Sequence, residues 1–138
     1  MGLLNLLFGP RAGSTLPEYR RDHQIQERRL VHAFLAFYTG NDGDPRHTLD
    51  RTENREHLQQ GWGLQDPGEL VALMDRYEQD GECNVAFDLI RVIKLARHGV
   101  GAGWVSEDDG WEICFRCTQR LRQTYPRWED VYVAFQAG

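Results

Sequence analysis

Apolar residues recur along this chain at three- and four-residue intervals, the period of a helix, and nowhere sustain the alternation of a half-buried strand. A first helix is predicted over 17–38. Pro17 stands in its opening turn, where a missing N–H costs nothing, and Leu30, Val31, Phe34, Leu35, Phe37 and Tyr38 form the apolar arc of its second half. The run Asn41-Asp-Gly-Asp-Pro45 breaks the pattern. A polar helix is expected over 48–60, closed by Gly61 as a left-handed cap. Asp66-Pro67-Gly68-Glu69 is a start signal with Asp as cap, Pro in first position and Glu in third, and the helix it opens presents Leu70, Leu73, Met74 and Tyr77. Asn84 caps the most apolar segment, 85–98, whose hydrophobic residues cover most of the circumference, as in a central buried helix. Gly99-Val-Gly-Ala-Gly103 is expected to end it. Ser106 then opens a helix to about residue 123, with Trp111, Cys114, Phe115, Thr118 and Leu121 inward. Pro126 begins a last one carrying Trp128, Val131, Tyr132 and Phe135. The fold class is therefore all-α: a single compact domain of about six helices over 17–138, preceded by an apolar segment and loop over 1–16.

Composition narrows the function classes. The chain has 138 residues, 41% hydrophobic, with 16 basic and 21 acidic residues and a net charge of -5. A length in this range fits one domain able to bury a core without a metal or disulfide staple. No apolar run approaches the roughly 18 residues of a membrane span. No basic stripe offers itself to phosphates, so a nucleic-acid partner is not expected. Three cysteines, an odd count, and an N-terminus without a basic leader fit a reducing cytoplasm. The apolar Leu3–Phe8 segment would dock on its own domain, on a partner or on a membrane surface.

The stretch Phe87-Asp-Leu-Ile-Arg-Val-Ile-Lys-Leu-Ala-Arg-His-Gly-Val-Gly-Ala-Gly-Trp-Val-Ser-Glu-Asp-Asp-Gly-Trp111 resembles the signature of a bacterial family, domain of unknown function 1266. That family carries a Trp-Asp-x-x-Arg helix, then Ala-Arg-x-Gly, Ala-Gly-Tyr, an Ile-Ser cap and Glu-Ala-Trp. Asn54-Arg55-Glu56, Gly61-Trp62-Gly63-Leu64 and Gln123-Thr-Tyr-Pro-Arg-Trp128-Glu-Asp resemble its flanking elements, so the likeness covers about residues 52–138. Phe87 replaces the family's frequent Trp, Asp109-Gly110 its Glu-Ala, and Pro126-Arg127 a serine pair. The resemblance implies a helical bacterial cytoplasmic domain and brings no activity with it.

Candidate chemistry concentrates on the apolar helix. Asp88 and Arg91 share a face, His98 lies near that face two turns on, and Arg97 adjoins it. Buried charges must be paired, so these four are read as a structural polar network, or else as a ligand site with Asp88 as base and His98 as its partner. Cys114-Phe-Arg-Cys117 sits mid-helix without a second ligand pair, so the two thiols are read as small buried residues and no metal is expected. The glycine run follows a helix where a nucleotide loop would follow a strand, and no cofactor is expected. Of the tryptophans, Trp111 and Trp128 are read as core, Trp62 and Trp104 as partly exposed. Asp66, Glu69, Asp75, Glu78, Asp80 and Glu82 form an acidic stretch against the single base Arg76. Together with Trp62 and Trp104 they are read as a binding face for a protein partner. The expectation is a non-catalytic protein-binding module that neutralises or chaperones a basic partner such as a toxin. The alternative is a small enzyme or ligand-binding domain centred on Asp88, Arg91, Arg97 and His98.

Overall fold

The computed structural model describes residues 17–40 and 43–138, with side chains from residue 24 onward. The Leu3–Phe8 segment lies outside the described residues. Seven α-helices follow one another, and no strand occurs among the described residues: α1 Pro17–Thr39, α2 Pro45–Thr48, α3 Arg51–Glu56, α4 Pro67–Gln79, α5 Val85–Gly101, α6 Glu107–Thr124 and α7 Trp128–Ala137. Helix α5 is the axis of the core. Helices α1, α2, α3, α4, α6 and α7 all pack against it. The apolar circumference read from the sequence is thus covered on every side, from Ala86 and Leu89 to Ala96 and Val100. At about 1.5–3 kcal/mol per buried aliphatic side chain, this one helix supplies a large part of the driving force for folding.

The helix starts follow local capping chemistry. The Asp66 side chain accepts the Glu69 N–H at 2.9 Å, while the Glu69 carboxylate accepts the Gln65 N–H at 2.9 Å. The Asn84 side chain accepts the Phe87 N–H at 2.9 Å, and the Ser106 hydroxyl accepts the Asp109 N–H at 3.1 Å. The Asp66, Asn84 and Ser106 bonds each satisfy one of the orphan donors of a helix N-terminus.

Several boundaries differ from the sequence reading. The polar helix expected over 48–60 is interrupted at Leu49. Thr48 closes α2, and α3 starts after Asp50, which forms a reciprocal capping box with Glu53 at 2.8 and 3.1 Å. A π turn, His57–Gly61, follows, and the left-handed glycine is Gly63 (φ 70°), two residues beyond Gly61. Helix α5 runs through the glycine run to Gly101, and only Gly103 has positive φ. Gly101 serves close packing instead: a β-carbon there would sit 2.2 Å from the Asn54 side-chain nitrogen. Helix α7 begins at Trp128 rather than Pro126. Trp128, expected in the core, is 42% exposed and caps it from outside, stacked on Phe34 at 4.8 Å.

Candidate functional site

The four polar residues of α5 do not form one site. Asp88 and His98 lie ten residues apart, about 15 Å along the axis, so the pairing of base and histidine is not realised. The structure sorts the four into three separate arrangements.

At the N-terminal end, the Arg91 guanidinium donates to Asp88 Oδ1 at 2.7 Å. The same carboxylate accepts the Glu82 N–H at 2.9 Å and the Cys83 N–H at 3.2 Å, fixing the link from α4 to α5. Gly81 permits this turn through positive φ (72°), and a β-carbon there would meet Asp88 Oδ2 at 2.9 Å. Arg91 lies over the rings of Tyr77 and Phe87, at 4.0 and 4.6 Å from their centroids. Beside this pair is a cleft of about 260 Å³ bordered by Tyr77, Cys83, Asp88 and Arg120. A second cleft, about 280 Å³ and bordered by Glu78, Arg116 and Gln123, shares Arg120 with it.

One helical end further, Arg97 is wholly buried and bonds Asp44, the residue that caps α2. Its Nε donates to the two Asp44 oxygens at 3.2 and 3.0 Å. Asp44 also accepts the Arg46 N–H at 2.9 Å and contacts His32 Nε2 at 2.9 Å. Burial alone would raise the Asp44 carboxyl. The His32 hydrogen bond, the Arg97 charge and the Arg46 N–H outweigh it and hold the group below the usual carboxylate range.

His98 belongs to a third arrangement. The Asn54 amide nitrogen donates to the carbonyls of Pro45, Leu49 and Asp50 at 3.0, 3.2 and 3.0 Å. Asn54 Oδ1 is thereby left as an acceptor, 2.9 Å from His98 Nδ1, which must carry the proton. The other face of the interaction is a ring stack: His57 lies 4.0 Å from His98, nearly parallel at 11°. Burial, then the neighbouring His57 and Lys94 charges, push His98 down to about 3, and burial with Lys94 also lowers His57. His98 is therefore a neutral imidazole at neutral pH, too weak a base for ordinary proton abstraction.

The remaining sequence candidates are placed as follows. Cys114 and Cys117 are both buried. Burial pushes Cys114 up to about 12 and Cys117 well above its ordinary value, so both stay thiols. Both therefore match the reading of small buried residues. Cys83 is the exposed cysteine. No cluster of three or more metal-ligating side chains gathers among the described residues. In the acidic stretch, Asp66 and Glu69 are engaged in capping. Glu78 is held by two bonds from Arg116, at 2.9 and 2.7 Å, and Glu82 by Arg76 at 3.0 Å. Asp75 and Asp80 are exposed and form no ion pair among the described residues. Trp62 and Trp104 are half-buried against the core, in keeping with the reading of partial exposure.

Sequence reasoning missed Asp44, Asn54, His32 and His57 as members of these arrangements. Asp44 directly before Pro45 is an N-cap signal that was available. Asn54 sits in a polar segment with nothing local to mark it as buried.

No curated protein and no solved structure matches this chain. A family model does, and it reaches further toward the N-terminus than the motifs over 52–138, taking in α1 and the Asp44 cap: over residues 18–138 the chain belongs to the family described as protein of unknown function (DUF1266).

Proposed function

We propose that this protein is a non-catalytic protein-binding module of a bacterial cytoplasm. The observation that supports this most is the outer face of α7. Trp128, Tyr132 and Val133 are 42, 50 and 67% exposed. Two of them are rigidly backed by α1: Phe37 meets Trp128 at 4.9 Å and Tyr132 at 5.6 Å, edge to face. Exposed aromatics held in one orientation are what interfaces favour, because little side-chain entropy remains to be lost on binding. Acidic groups complete the picture. With a net charge of -5 and with Asp75 and Asp80 unpaired among the described residues, the occupant that fits is a basic protein segment with apolar anchors. A basic toxin held by a neutralising partner is one such protein.

We place the contact on the α7 face rather than on the acidic stretch as a whole, because four of the six acids are already bonded within the protein. The enzyme or ligand alternative centred on Asp88, Arg91, Arg97 and His98 has less support, because the four side chains are bonded within three different arrangements. Affinity capture from the native lysate tests the reading, using the wild type, Trp128→Ala/Tyr132→Ala and Asp75→Lys/Asp80→Lys at two salt concentrations. A stoichiometric basic protein that is held by the wild type and lost from the α7 variant is expected. Equal capture by the α7 variant would sink the proposal.

A further inference from the structure

Arg97 raises a question that its partners do not answer. Its side chain is 0% exposed, and Nε is bonded to Asp44, yet Nη1 and Nη2 find no hydrogen-bond acceptor among the described residues. Four charged N–H groups are therefore buried unmatched, a situation native proteins normally resolve with an acceptor, water or ion. The Trp111 ring, 4.0 Å from the guanidinium carbon, offers its face but no lone pair. Asp44 is already saturated by Arg97, His32 and the Arg46 N–H.

Among the described residues the nearest further carboxylate is Glu107, whose Oε1 stands 3.9 Å from Arg97 Nη2, beyond hydrogen-bond reach. Glu107 is 45% exposed and tethered to the first turn of α6. Its oxygens are turned to other donors: Trp111 Nε1 at 3.1 Å and Arg46 Nε at 3.2 Å. Arg28 adds a further cation over the Trp111 ring at 4.7 Å. Among the described residues, Arg97 and Arg46 thus meet Asp44 and Glu107 at this corner, with the two terminal nitrogens of Arg97 left over.

We propose that the corner between Arg97, Arg46 and the start of α6 is an oxyanion site, with the Glu107 carboxylate as a removable stand-in that closes it. The ligand is a carboxylate or a phosphate. Rotation of the exposed Glu107 side chain opens the corner without moving the backbone. An untethered oxyanion can then approach the two terminal nitrogens of Arg97 in the bidentate geometry that Glu107 does not reach. The positive end of the α6 dipole favours the same charge. This proposal is independent of the protein-binding face on α7.

The test is calorimetric titration and thermal melting of the full chain with sodium phosphate, sodium acetate and sodium chloride at matched ionic strength. Glu107→Gln is expected to bind phosphate or acetate about tenfold more tightly than the wild type, a change of roughly 1.4 kcal/mol. Adding Arg46→Gln should weaken that binding again. Response to phosphate alone would assign a phosphate site, and equal response to acetate a carboxylate site. A Glu107→Gln protein that answers phosphate and acetate no more than chloride overturns the proposal. Should that variant fail to fold, the Arg97 Nε–H NMR signal of the wild type decides. It shifts on phosphate titration if the site exists and stays in place if it does not.

Discussion

Acidification from pH 7 to pH 4.5 probes the His98 arrangement directly. His98 is 2% exposed, and its folded-state value lies near 3 against 6.5 for an unperturbed imidazole. The sign follows from which state holds more protons. As pH falls below 6.5 the unfolded chain takes up a proton on His98, while the folded protein does so only near pH 3. Stability from this group is therefore fully present above 6.5 and is lost progressively through that window. At pH 4.5 the unfolded chain is almost fully protonated and the native state hardly at all, which amounts to roughly 3 kcal/mol. His57, shifted in the same direction, adds to the effect. Carboxylates also titrate here, so the informative quantity is the difference between the wild type and His98→Gln, measured by urea unfolding from pH 7 to 4.5. The advantage of the wild type should shrink by about that amount. The His98 ring protons should show no NMR titration above pH 4. A midpoint near 6.5, or a difference between the two proteins that does not vary with pH, would refute the reasoning.

Other perturbations address the packing and the ion pairs. Gly101→Ala drives a β-carbon into Asn54, which ties three carbonyls and His98 together, and should cost about 3 kcal/mol or more, read as a fall in Tm. Gly63→Ala, at positive φ with open space around it, should cost only about 1 kcal/mol, so equal losses would contradict this account. Removing Arg97 alone as Arg97→Met takes the buried Asp44 carboxylate's charge partner and should destabilise by about 3–5 kcal/mol, and Asp44→Leu, which also removes the α2 cap, should cost less in that background than on its own; a purely additive double mutant would argue against a coupled pair. Iodoacetamide at pH 8 should label Cys83 alone in the folded protein and all three cysteines in urea, as counted by mass spectrometry; rapid labelling of Cys114 or Cys117 would contradict their burial as thiols.

What the amino-acid sequence determined by itself was whatever depends on neighbours a few residues away. Asp66, Asn84 and Ser106 cap their helices because each side chain needs only the N–H three residues on. The 85–98 segment had to be central because its apolar residues leave no face for water, and its charges therefore had to be paired. Only the tertiary structure decided the partners. Arg97 meets Asp44 across 53 residues and His98 meets Asn54 across 44, separations that no spacing rule addresses. Asp88, legible as half of a pair with Arg91, turned out to fix the preceding turn as well, since its carboxylate had two backbone donors within reach. The break at Leu49 follows from the same cause. Asn54 holds Pro45, Leu49 and Asp50 around one amide, and a hub of that kind exists only once α2, α3 and α5 have met.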